Sequence, residues 1–121
     1  MFEQPAGKRG HIVIVGFGPA GQRVAETLMR RRKSLIVVVE LNTKCADIAK
    51  TYGLETIIGD ATNTGVLEQL RVASADAVVI TVPDPATARQ IVELVRSLAP
   101  DTVIIARARY HIHRWQLLLA G

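Results

Sequence analysis

Two features of the chain have the residue types and spacing to hold a phosphorylated ligand. The loop Gly16-Phe17-Gly18-Pro19-Ala20-Gly21 carries glycine at its first, third and sixth positions. The first permits a tight turn off a strand. The third leaves room for a pyrophosphate against backbone amides, and the sixth lets a helix pack closely on the sheet. Amides exposed at the helix start would hold the phosphates, aided by the positive end of the helix dipole. Glu40 follows about 20 residues beyond the loop, the distance at which an acid closes a second strand in this pattern. Its carboxylate would accept hydrogen bonds from both ribose hydroxyls of an adenosine and would repel a 2′-phosphate. NAD(H) or AMP is therefore expected in preference to NADP, with Leu41 beside the acid.

Further candidates fall at the ends of later strands. Asp60 lies in Gly59-Asp60-Ala61-Thr62, just past a third strand. Ligands of doubly wound sheets bind outside the carboxyl ends of the strands, which puts Asp60, Ala61 and Thr62 over the adenine. Thr62 and Asn63 could instead cap the short helix that follows. Val82-Pro83-Asp84 ends a fourth strand at the same rim, with Val82 against the nucleotide and Asp84 better suited to capping a helix.

Catalysis is not expected. A dehydrogenase needs a substrate element and a group to handle its proton, and neither is evident. His11 begins a strand and reads as structural. His111 and His113, two apart on an expected helix, point to different faces and cannot share a metal. Cys45 falls on the inner face of a helix away from the loop. It is also the chain's one cysteine, which excludes an internal disulfide and any multi-cysteine metal site. No Gly-x-Ser-x-Gly, His-Glu-x-x-His or Walker sequence occurs.

These residues must be positioned by an alternation of strands and helices. Strands are expected at His11–Val15, Leu35–Val39, Glu55–Ile58, Ala77–Val82 and Thr102–Ala106, from β-branched or continuous apolar runs. Helices are expected at Pro19–Arg31, with Val24, Ala25, Leu28 and Met29 inward, and at Thr43–Tyr52, with Cys45, Ile48, Ala49 and Tyr52 inward. Asn42 would cap the start of the second and Gly53 its end. A short helix is expected at Gly65–Leu70. A longer one opens at Asp84-Pro85, buries Ala88, Ile91, Val92, Val95 and Leu98, and stops at Pro100. Tyr110–Ala120 would be a last helix with Ile112, Trp115 and Leu119 on one side. Right-handed βαβ units of this kind give a parallel sheet. The fold class is α/β, a Rossmann-type doubly wound sheet in three αβα layers, as one domain over residues 11–121. Residues 1–10 read as a lead-in or linker.

At 121 residues there is room for one core. No apolar run approaches the roughly 18–20 residues of a membrane span, and Met1–Gly10 lacks the apolar stretch of a secretion signal. The net charge of +4 does not point to nucleic acid. The basic cluster Arg30-Arg31-Arg32-Lys33 falls at a helix end, where cations complement the dipole, and no aromatics interleave to stack bases.

Taken together, the glycine loop, Glu40, Gly59-Asp60-Ala61-Thr62, Leu67–Val82 and Ile105-Ala106-Arg107-Ala108-Arg109 resemble the RCK domain, also called the TrkA N-terminal domain, of potassium transport systems. The segment "IIARAR", then a helix and "LLAG", resembles the cytosolic domain of Kef-type cation:proton antiporters in particular. The resemblance implies a regulatory domain that senses NAD(H) or AMP and gates ion flux, forms a homodimer, and works at the cytoplasmic face of the inner membrane with a transporter portion of the same polypeptide or a separate subunit. It implies nucleotide contacts at Gly16, Gly18, Gly21, Glu40, Asp60 and Ala61. Arg107 would face the dimer groove or the ligand phosphates, or pair with an acid at the strand end as Arg109 could. A strand is expected after Gly121, so the chain reads as an excised fragment or a free-standing subunit. The alternatives are the cofactor-binding half of an NAD-dependent oxidoreductase and an interaction module with a vestigial site.

Overall fold

The computed structural model describes residues 10–31 and 35–106. Nine labelled elements run in alternation: β1 (Ile12–Val15), α1 (Pro19–Arg31), β2 (Ile36–Glu40), α2 (Thr43–Thr51), β3 (Glu55–Ile58), α3 (Thr64–Gln69), β4 (Ala77–Ile80), α4 (Pro85–Leu98) and β5 (Val103–Ala106). A 3₁₀ turn at Val72–Ser74 leads into β4. All pairings are parallel, and the strand order is β3-β2-β1-β4-β5. The chain winds outward from β1 through β2 to β3, then crosses back to β4 on the other side of β1. That reversal makes the fold doubly wound, and the crevice between β1 and β4 is its switch point.

The period of two along each strand splits the core between two faces. Val13, Val15, Val37, Val39, Val78 and Ile80 point to one side, where Leu67 of α3 and Ala88, Ile91, Val92 and Val95 of α4 cover them. Ile14, Ile36 and Val38 point to the other, under Ala25 of α1 and Ala49 of α2. Central strands buried on both faces explain the unbroken apolar runs in the sequence. The result is the expected three layers.

Helix ends follow local chemistry. Asn42 Oδ1 accepts the amides of Lys44 and Cys45, and Gly53 takes φ +78° just past the C-cap Tyr52. Asn63, rather than Thr62, caps α3 by accepting from Gly65 and Val66. Asp84 accepts the Thr87 amide with Pro85 at the first helical position. His11 is buried and structural, its Nε2 donating to Leu70 O at 2.8 Å.

The structure differs from expectation at several boundaries. Leu35 lies outside β2, 56% exposed with φ +47°, so the strand runs one residue later and includes Glu40. β4 ends at Ile80, leaving Val82 on the turn beyond it. In α2 the buried positions are Ala46 and Ala49. Ile48 lies on the rim of that face and is 38% exposed, because the helix turns its two alanines to the sheet and keeps Cys45 and Tyr52 as flanks. Leu98 is only partly buried at the end of α4. The expected lead-in falls on residues 1–9 apart from Gly10, and these, like the last helix, lie outside the described residues.

This packing predicts unequal costs for two isoleucines. Ile14→Ala opens a cavity in a fully buried site and should lower unfolding free energy by about 2–5 kcal/mol. Ile48→Ala should cost less than about 1 kcal/mol, since alanine is the better helix former on a half-open surface. Denaturant unfolding of both variants checks this. Equal costs would mean that Ile48 packs inward after all.

Candidate functional site

The turn off β1 is built around two glycines that could not carry a side chain. Gly16 has φ +95°, and a Cβ there would stand 2.7 Å from Thr81 Oγ1. A Cβ on Gly21 would overlap the Gly16 carbonyl oxygen. The first turn of α1 can therefore lie directly on the end of β1. Gly18 is different, with nothing within 4 Å of where its Cβ would be. The protein itself does not need a glycine there, so the space lies open in front of the start of α1.

Side chains from two strand ends and from α1 hold this loop. Glu40 Oε1 accepts the Phe17 amide at 2.6 Å, and its Oε2 accepts the Asn42 amide at 2.9 Å. Thr81 Oγ1 lies 2.9 Å from Val15 O and 3.0 Å from Gly16 O, sharing its one hydroxyl hydrogen between the two carbonyls from a buried position. Gln22 Nε2 donates to Phe17 O at 3.1 Å. The Phe17 ring itself faces the core, fully buried and edge-on to Tyr52 with centroids 5.3 Å apart. Tyr52 in turn donates its hydroxyl to Glu26 at 2.7 Å. That bond, with some burial and the nearby negative charge, raises the phenol's pKa above its ordinary value.

A cleft opens at the carboxyl ends of β1, β2 and β3, lined among others by Gly16, Glu40, Leu41, Asp60, Ala61 and Val82. The expected contacts from four separate stretches of sequence are thus brought together at the switch point. Its enclosed part is about 90 Å³, well short of the roughly 300–1,000 Å³ that surrounds a whole drug-sized ligand. A nucleotide seated there would lie largely along the open rim. Phe17, Gly18, Pro19, Ala20, Gly21 and Thr62 are not on the cleft wall. Phe17 contributes a backbone group already given to Glu40, Gly18 lies between it and α1, and Pro19, Ala20 and Gly21 belong to the start of α1. Arg107 lies outside the described residues.

Asp60 Oδ1 accepts both the amide and the hydroxyl of Thr62, at 2.9 and 2.7 Å. These bonds, the hydroxyl's first and then the amide's, lower its pKa against a small opposing effect of burial. Asp60 is therefore charged, and Thr62 reaches the cleft through it. Sequence reasoning left out Thr81, Gly59, Thr87 and Ile91, of which the last three line the cleft. A signal existed for the α4 pair: a helix capped at the rim by Asp84 must carry its first two turns past the switch point. Among the described residues no group of three or more His, Cys, Asp or Glu side chains comes together, and no helix is long and apolar enough to cross a membrane.

Comparison with known proteins gives a consistent result. The family model of the TrkA-N domain matches residues 12–121. The TrkA-N domain of the inner membrane protein ybaL from Escherichia coli superposes with a TM-score of 0.86 at 27% identity, covering 93% of this chain and 83% of that one. The GsuK channel bound to NAD gives 0.83 at 33% identity over 97% of this chain, which spans only 21% of the channel chain. The Kef CTD of Shewanella denitrificans in its AMP-bound form gives 0.80 at 28% identity, covering 92% of this chain and 66% of that one.

The turn after β3 yields a test in the unliganded protein. Thr62→Val removes the hydroxyl and leaves the amide, so the Asp60 pKa should rise toward the ordinary carboxylate value. A carboxyl whose folded pKa is depressed stabilises the fold above its unfolded pKa and loses that contribution as pH falls through the folded one. The variant should accordingly lose less stability on acidification than the wild type. Carbon-detected NMR titration of the Asp60 carboxyl reads the shift, and an unchanged pKa would show that the hydroxyl does not hold it.

Proposed function

The chain belongs to the TrkA-N domain family, and on that premise we propose that it is a regulatory domain that binds NAD(H) or AMP at the switch-point cleft and controls ion flux through a transporter of the potassium/proton antiporter class. The observation that carries this reading is the open space at Gly18, where a side chain would meet no protein atom. A glycine kept where the fold does not require one fits a position reserved for a phosphate. The first amides of α1 lack helical partners by geometry and would donate to that phosphate.

Glu40 fits the ribose. An ionised carboxylate offers about four acceptor positions, and the amides of Phe17 and Asn42, one on each oxygen, leave one position on each for the 2′- and 3′-hydroxyls. Leu41, 66% exposed at the cleft mouth, offers an apolar surface to a base, and Asp60, Ala61, Thr62 and Val82 would complete the adenine side. NAD in the GsuK channel and AMP in the Kef CTD support the ligand class. A non-enzymatic role is supported by the company of channel and antiporter domains. Residues 11–121 would form the nucleotide-binding domain, working at the cytoplasmic face of the inner membrane. Arg107 is kept as a proposed contact of the ligand or a dimer groove.

Calorimetry with AMP, NADH and NADPH tests the reading. AMP or NADH should bind, and NADPH at least tenfold more weakly. Equal or tighter binding of NADPH would remove the role given to Glu40. Gly18→Val should abolish binding without changing the circular dichroism or the thermal midpoint of the free protein, because the added carbons enter open space. A folded variant that still gains stability from AMP would put the phosphates elsewhere.

A homodimer is also proposed, on the strength of family membership and of the exposed Val103 and Ile105 on β5. Sedimentation at high micromolar concentration should report a dimer for the wild type and a weaker one for Ile105→Asp. A wild type that stays monomeric would exclude it.

A further inference from the structure

The Gly16–Phe17 peptide is gripped at both ends by side chains from different strand ends. Its N–H donates to Glu40 Oε1 at 2.6 Å, and its C=O lies 3.0 Å from Thr81 Oγ1. The carbonyl and amide of a trans peptide point in opposite directions, so each contact opposes rotation of the plane from its own side. Such a grip has work to do here. A peptide that follows glycine rotates at little intrinsic cost, because no Cβ narrows the choice of dihedrals. Thr81 also bears on why glycine is required, since a Gly16 Cβ would stand only 2.7 Å from its hydroxyl oxygen.

We propose that Thr81 is a positioning residue for the phosphate loop: its buried hydroxyl fixes the orientation of the Gly16–Phe17 peptide and so aims the amides at the start of α1. Thr81 touches no ligand in this account. It acts through the carbonyl it holds, as the partner of Glu40 on the opposite face of the same peptide. The backbone amide of Thr81 independently donates to Val15 O at 2.9 Å, so the strand pairing survives loss of the hydroxyl. The consequence for phosphate binding rests on the nucleotide reading above, whereas the consequence for the peptide does not.

Two variants separate the hydroxyl from the bulk of the side chain. Thr81→Val keeps the shape and removes the donor, and Thr81→Ser keeps the donor. Amide hydrogen exchange in the ligand-free protein should show Phe17 N–H exchanging about tenfold faster in Thr81→Val and near the wild-type rate in Thr81→Ser. NMR titration should show AMP bound about tenfold more weakly by Thr81→Val, adenosine bound as by the wild type, and AMP affinity restored in Thr81→Ser. Wild-type exchange and AMP binding in Thr81→Val would overturn the proposal. So would equal losses for AMP and adenosine, or a failure of Thr81→Ser to rescue, either of which points to packing instead of the hydroxyl. A wild type that takes neither ligand would bring down the nucleotide reading, and the exchange comparison would still decide the grip.

Discussion

Everything at the rim is built outward from one close approach, that of Gly21 in α1 to the carbonyl of Gly16 at the end of β1. A single Cβ on Gly21 would overlap that oxygen and push the helix start off the strand end. Because the approach is allowed, the positive end of the α1 dipole is set over the edge of a sheet whose central strands are buried on both faces. Ile14 and Val38 on one side, and Val13, Val37 and Val78 on the other, leave those strands little freedom to shift. The close contact therefore transfers the rigidity of the core to the loop, which the buried Phe17 ring also anchors from beneath.

The remaining freedom of the loop is taken up by polar bonds. Glu40 joins the loop through Phe17 N–H to the end of β2, and through Asn42 N–H to the residue that caps α2. One carboxylate thus ties β1, β2 and α2 at a single point. An exposed ion pair would contribute little here. A carboxylate accepting backbone amides forms charge-assisted bonds of fixed geometry, which are the stronger kind. Beneath the loop, the edge-on contact of Phe17 with Tyr52 and the bond from Tyr52 to Glu26 brace α1 against α2.

Much of this was legible in the sequence because it depends on backbone geometry and periodicity. Glycine spacing, the acid about 20 residues on and the run of β-branched residues each have one physical reading in context, and Asn42, Asp84 and Gly53 serve as their types predict. Phase and side-chain partnership were harder to read. Ile48 and Ala46 compete for the inner face of α2, and hydrophobicity alone favours the isoleucine, whereas the close sheet favours the small residue. Phe17 sits inside the glycine motif, yet its size sends it into the core. Thr81 gave no signal, because a threonine at the end of an apolar strand is unremarkable until the carbonyl it meets, 65 positions earlier, is known.

The division between backbone and side chain also bears on what the site can distinguish. Amides at a helix start recognise phosphate, which every nucleotide carries, so the glycine loop would supply affinity without identity. That is why the same loop can serve both dehydrogenases and regulatory domains, and why its presence could not choose between them. Identity must be read by groups that differ from one fold member to the next. At this rim, on the proposed reading, those would be the Glu40 carboxylate for the sugar, the exposed Leu41, and the turn in which Asp60 is held charged by Thr62. The loop is held by Glu40 at the end of β2 and Thr81 just past β4, whereas Asp60 is held by a residue two positions away. The part proposed to meet phosphate is thus fixed from the ends of two strands, and the part proposed to meet the base is fixed by its own turn.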